Sequence, residues 1–264
     1  DDQVERVRVG GQLARFEPDP RVPLTVPELA RFLRNPVKAF FKQRLNVVFG
    51  EAEEEGADEE TFGVAGLEEY GLVRELAGEV LSQLPEVGRT DVEALVDAAL
   101  AGMQRAGRLP LGGLAERTQR QLAANLVPML QTWQAVQAEH PSPATRQRLH
   151  AVHGAVLLDD WLDHLREGVN GGGIPVWLEL DTGKLAARQP RRRGLVPRAD
   201  KLLMAWVRSL AAAASGVQVA GVLVGRDATL HITPMPPEDA EATLAVLMAH
   251  WQEGLSRPLP LALR

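Results

Sequence analysis

Five of the six carboxylates between His150 and Lys184, namely Asp159, Asp160, Asp163, Glu179 and Asp181, are candidates for metal chemistry. That stretch reads as short strands over Leu149–Leu158, Trp161–Leu165 and Pro175–Leu180, joined by the glycine-rich loop Gly168–Gly173. Carboxylates on adjacent strands are how many nucleases hold a divalent cation. Hard oxygen ligands suit Mg2+, and the bound ion activates water against phosphorus.

Other phrases nearby carry weaker chemical signals. Leu180-Asp-Thr-Gly183 matches the short aspartic-protease phrase, but that chemistry needs two aspartates sharing a proton, and the phrase occurs once. Asp181-Thr-Gly-Lys184 has the outline of a phosphate loop, yet Leu178 replaces the first glycine and Leu185 the magnesium-binding hydroxyl. His150 and His153 have a His-x-x-His spacing, but on a strand they face opposite sides, and no glutamate base accompanies them. They read as packing or surface residues. No Gly-x-Ser-x-Gly nucleophile phrase is present. The most plausible phosphate contacts are Arg188, Arg191, Arg192, Arg193, Arg198 and Lys201, because arginines in a loop can grip phosphate without reading bases. Trp161, Trp177 and Trp206 are expected in the core rather than as base-stacking platforms.

The totals bound what these residues can belong to. With 264 residues, 45% of them hydrophobic and 24% charged, the chain has the composition of a globular protein of one large or two small domains. Without cysteine it has no disulfides and no thiolate metal site, which fits a reducing cytoplasm. No apolar run approaches the roughly 20 residues that span a bilayer. The net charge of −6 argues against a free-standing non-specific DNA binder and leaves room for a local basic patch. Asp1 in place of Met suggests a piece of a longer polypeptide.

The elements that must position the carboxylates follow from periodicity and caps. Residues 1–24 read as a linker from a preceding domain. Residues 25–140 read as helical, starting at Thr25 with Pro27 and Glu28 behind it, and restarting at Asn35-Pro36. The other face of this first pair carries Arg31, Arg34, Lys38, Lys42 and Arg44. An acidic run over Glu51–Glu60 reads as a loop. Further helices are expected over Leu67–Leu84, from Thr90 or Asp91 to about Ala106, and from Leu114 to about Glu139 with Pro128 as a kink or boundary. Residues 141–264 change period: the strands above, a basic loop over Arg188–Arg198, a helix over Ala199–Ala214, a strand pair over Val217–Val224 and Thr229–Thr233, and a last helix from Pro236 closed by Gly254. The pattern predicts an α/β or α+β sandwich, with residues 25–140 and 141–264 packed as one domain.

Several phrases resemble the C-terminal part of the RecC (gamma) subunit family of exodeoxyribonuclease V. They are Leu29-Ala-Arg-Phe-Leu-Arg-Asn-Pro-Val-Lys-Ala-Phe-Phe-Lys-Gln-Arg-Leu45, Gly66-Leu-Glu-Glu-Tyr-Gly-Leu72, Ala106–Glu116, Trp206–Leu210 and Trp251–Leu261. The resemblance implies a restriction-endonuclease-like sheet flanked by helices, related to the nuclease domain of the RecB partner but without its chemistry. It also implies RecB-like and RecD-like partners, contact with DNA at the fork, strand channelling and a part in reading the recombination hotspot. No membrane is involved. Mg2+ and ATP would be used by the partner subunits, and this domain would need no cofactor and bind no metal of its own.

By that resemblance, an active nuclease would pair an acidic strand end with a carboxylate-x-lysine on the next strand. Asp160-Trp-Leu-Asp163 stands at the first place and Glu179-Leu-Asp181 at the second, so Asp181 occupies the lysine's position. Lys184 lies an odd number of residues from both acids and points to the other face of a continuing strand, although Gly183 could break that alternation. No Gln or Tyr occurs between Arg191 and Val217, where such nucleases often carry them. The expectation is that Asp163, Glu179 and Asp181 are vestigial, solvated positions, and that the domain is structural and DNA-guiding. The alternative is an active metal-dependent DNA nuclease using Asp163 and Glu179.

Overall fold

Local caps decide where the chain first becomes helical. In α1 (Val26–Arg34) the Thr25 hydroxyl accepts from the Glu28 amide, while the Glu28 carboxylate accepts from the Thr25 amide at 3.0 Å, a complete capping box. In α2 (Pro36–Leu45) the Asn35 side chain accepts from the Lys38 amide at 2.9 Å, and proline fills the first turn, where no amide is needed. Two helices therefore meet at Asn35, as the Asn-Pro pair predicts. The computed structural model describes residues 13–47, 63–84, 90–109, 113–169, 173–188 and 194–259. The acidic run over Glu51–Glu60 lies outside these residues.

Helices α3 (Gly63–Gln83), α4 (Val92–Arg105) and α5 (Gly113–Glu139) form a layer. Its core joins Val73, Leu76 and Val80 with Val96, Leu100 and Met103 and with Leu122, Leu126 and Leu130. Asp91 is the cap of α4. Helix α5 runs through Pro128, so the proline marks no boundary.

The second half holds β1 (Ser142–Pro143), β2 (Gln147–His153), β3 (Val156–Leu162), β4 (Leu165–Glu167), β5 (Val176–Asp181), β6 (Ala186–Arg188), β7 (Leu195–Pro197), α6 (Ala199–Ala214), β8 (Ala220–Gly225), β9 (Thr229–Ile232) and α7 (Pro237–Ser256). Three expectations need correcting. The strand over Leu149–Leu158 is two strands, because Gly154 takes φ 56° and turns β2 back onto β3. The flanks of the basic loop are paired: Ala186, Ala187 and Arg188 stand opposite Pro197, Val196 and Leu195 as a β6–β7 hairpin. Gly254 does not close α7 but lies within it, where a Cβ would collide with the Phe32 ring.

The central sheet has the order β1-β4-β5-β8-β9, with β5 and β8 parallel and the other neighbours antiparallel. Strand alternation divides its faces. Val176, Leu178 and Leu180 of β5, with Val222 and Val224 of β8, meet the α3–α5 layer. Trp177 and Leu223 join the opposite cluster with α1, α6, α7 and the β2–β3 hairpin. Gly221 leaves room for the buried Trp177 ring, which a Cβ there would overlap. The structure is thus mixed α/β, with a mixed sheet between helical layers. Of residues 1–24, those from 13 onward are described and lie on this framework. Phe16 packs edge-on against Trp251 at 5.2 Å, and Leu24 bridges Leu158 in parallel.

Candidate functional site

Strand β5 ends with two of the five carboxylates. Trp177, Glu179 and Asp181 alternate onto the sheet face that α6 covers. Lys201 and Arg208 are seven residues apart, two helical turns, and so lie on one side of α6. The Arg208 guanidinium donates to Glu179 at 2.6 Å and stacks over the Trp177 ring at 4.7 Å. The Lys201 ammonium lies 3.3 Å from one oxygen of Asp181, whose other oxygen accepts the Gly183 amide at 2.7 Å. These acids are therefore half-buried and ion-paired, not solvated strand ends. The cations beside them come from α6 rather than from the strand. Lys184 lies beyond the end of β5 and is exposed.

The remaining carboxylates are spread over other tasks. Asp163 is exposed and sits past the end of β3. Continuing the β4–β5 register two residues beyond the Leu165–Trp177 pair would set Asp163 opposite Glu179, but the ladder stops at Leu165. His164 adopts φ 57° there, a left-handed conformation that turns the chain out of extended geometry. Asp159 takes two hydrogen bonds from Arg148, at 2.8 and 2.5 Å, and this contact holds its carboxyl below the usual range. Asp160 accepts the Val26 amide at 2.9 Å, so a negative charge faces the amino end of α1. Among the described residues, no group of three or more His, Asp or Glu side chains is placed to hold one metal ion.

The expected phosphate contacts divide in three. Arg188 is exposed at the end of β6. Arg198 and Lys201 are half-buried and ion-paired, Arg198 with Asp200 at 3.0 Å and Lys201 with Asp181. Burial would raise the Asp200 carboxyl, but the Arg198 guanidinium, a backbone hydrogen bond and the nearby Lys201 together outweigh it and the net shift is downward. Arg191, Arg192 and Arg193 lie outside the described residues. His150 and His153 are exposed.

The tryptophans correct a further expectation. Trp177 is buried at 2% exposure, but Trp161 is 45% and Trp206 39% exposed. On β3 the buried positions are Val156, Leu158 and Leu162, so alternation turns Trp161 outward, where the Arg146 guanidinium stacks on it at 4.2 Å. Arg208 is the residue that sequence reasoning missed. Its signal was its spacing: seven residues from Lys201 on a helix, matched to acids two residues apart on a strand.

Together these features define a mixed α/β domain whose β5 carboxylates are neutralised by the helix packed over them. The family model described as the RecC C-terminal domain matches residues 22–264, and the chain belongs to that family. It is 26% identical over 252 residues to the RecBCD enzyme subunit RecC of Escherichia coli (strain K12), an alignment covering 90% of this chain and 19% of that protein. The chain thus spans about a fifth of the length of that curated relative. No helix among the described residues is long and apolar enough to cross a membrane.

Proposed function

We propose that the chain is a non-catalytic structural and DNA-guiding domain of a RecC subunit in a RecBCD-type helicase–nuclease. In this reading it acts in cytoplasmic double-strand-break repair and recombination through subunit contacts, duplex splitting and strand channelling. The RecB-like and RecD-like partners supply the ATP- and Mg2+-dependent chemistry. The sheet is a restriction-endonuclease-like frame whose own chemistry has been lost.

The observation that carries the reading is the pairing of Glu179 with Arg208 and of Asp181 with Lys201. A divalent cation needs carboxylate oxygens turned toward one point and free of competing cations. Here a guanidinium and an ammonium stand against those oxygens, and Asp163 lies beyond the end of the ladder that would bring it beside them. A cation entering this place would have to displace positive charge and gather a ligand from outside the sheet.

The test is incubation of the purified chain with linear DNA and Mg2+ or Mn2+. Intact DNA is the expected result. Degradation that disappears in both Asp163→Ala and Glu179→Ala would overturn the proposal in favour of the nuclease alternative.

A further inference from the structure

The carboxyl ends of the parallel strands β5 and β8 collect cations from segments far apart in the chain. The Arg226 amide donates to the Gly183 carbonyl at 3.1 Å, joining the turn after β8 to the turn after β5. A Cβ on Gly183 would lie 2.9 Å from the Lys201 ammonium, so Lys201 borders the same turn, and Lys184 is its next residue. The Arg198 amide donates to the Leu185 carbonyl at 2.8 Å. From the end of α1, the Arg34 guanidinium donates to the Asp200 carbonyl oxygen at 3.1 Å. Arg188 follows at the end of β6.

The opposing charge at this edge is smaller and already engaged. Asp181 holds Lys201 and the Gly183 amide, and Asp200 holds Arg198. The Asp227 carboxylate accepts the Leu185 amide at 2.7 Å and the Ala186 amide at 3.4 Å. Six cations (Arg34, Lys184, Arg188, Arg198, Lys201 and Arg226) thus face three carboxylates. The surplus of three positive charges stands out in a chain of net charge −6. Among the described residues, the side chains of Lys184 and Arg226 make no ion pair. In open α/β sheets, the carboxyl ends of parallel strands are where ligands settle, because the turns there present side chains and free amides around a crevice.

We propose that this edge is a binding track for the phosphodiester backbone of DNA, with Arg34, Lys184 and Arg226 extending the phosphate contacts beyond the β6–β7 hairpin. The track rests on the DNA-guiding reading above and adds to it residues from α1 and from the two turns after β5 and β8. Its contacts are ionic and made to phosphate, so it holds a strand without reading its bases. The charge comes from four separate segments, and only the folded chain brings them together.

The test is fluorescence anisotropy of the 264-residue chain with a labelled single strand and a labelled duplex across a range of salt concentrations. The variants are Lys184→Gln with Arg226→Gln, the same pair with Arg34→Gln, and Arg191→Gln with Arg192→Gln and Arg193→Gln. Each lost phosphate contact flattens the dependence of log K on log salt by about 0.7 for single strands and about 0.9 for duplex, so the double variant should lose about 1.4 or about 1.8 of slope. Its affinity at 0.1 M salt should fall about tenfold or more by the same relation. A larger loss on one substrate identifies the strand form that the track holds. An unchanged melting curve for the double variant excludes unfolding as the cause, and the triple variant reads the share of Arg34. Unchanged slope and affinity in the double variant, with both lost in the Arg191–Arg193 variant, would overturn the track and leave the DNA-guiding reading standing. Binding unaffected in every variant would overturn both. Normal DNA binding with lost association to an acidic partner subunit would reassign the edge to protein contact.

Discussion

Replacing Arg208 by alanine removes two contacts with one change. The guanidinium bonds Glu179 at 2.6 Å, between side chains that are 24% and 38% exposed, so solvent screens the attraction. A partly exposed pair of this kind contributes about 0.2–1 kcal/mol. The stack on Trp177 at 4.7 Å adds about 0.5–1 kcal/mol, and its aliphatic stem shields a ring that is otherwise buried. The expected loss is about 1.5 kcal/mol, which corresponds to a melting point lower by about 3 °C for a chain of this length. Urea denaturation with an unchanged m-value is the assay, because it separates lost stability from a changed unfolded state. Glu179→Gln should cost about 0.5 kcal/mol, since the stack on Trp177 survives, and the double variant should show a coupling energy of about 0.5 kcal/mol. Zero coupling, or a loss below about 0.3 kcal/mol for Arg208→Ala, would refute the claim that α6 holds Glu179.

Three other outcomes follow from the packing and the charges. Gly221→Ala should destabilise by about 3 kcal/mol or block folding, because its methyl would overlap the Trp177 ring on the neighbouring strand; a near-neutral melting curve would contradict the described contact. Asp159 and Asp200 have carboxyls held below the usual range, so their contribution to stability is complete above an unfolded pKa of about 3.9 and is lost as pH falls through the lower folded values. Denaturation midpoints measured from neutral to strongly acid pH should fall in that window, and Asp200→Asn should flatten the fall. Neutralising Arg191, Arg192 and Arg193 together should weaken single-strand binding and reduce its salt slope by about 2; unchanged affinity would leave the hairpin a role in protein contact alone.

What could be read from the chain depended on how local its cause was. The capping box at Thr25, the Asn35-Pro36 restart and the span of α6 are set within a few residues, and each is found where the sequence puts it. The β2–β3 hairpin was hidden because its turn at Gly154 and Ala155 sits inside a run of strand-forming residues with no proline or Asn-Gly pair to mark it. Strand β5 stops at Asp181, so strand parity does not govern Lys184, and the sequence cannot show that α6 delivers Lys201 and Arg208 to the β5 acids from 20 and 29 residues away. Asp163 was hard to place for a similar reason. A single left-handed residue, His164, decides whether it joins the ladder, and histidine carries no strong signal for that conformation. The aromatic residues show the limit of composition. Trp161 and Trp177 are alike in type, and only register puts one outside and the other inside.

The central claim is that the β5 carboxylates are held by α6 and do not form a metal site. Calorimetric titration of Mn2+ into the chain tests it most directly, with Glu179→Gln as the paired control. No saturable heat above the control is expected. A saturable heat with a defined stoichiometry, abolished in Glu179→Gln, would contradict that claim.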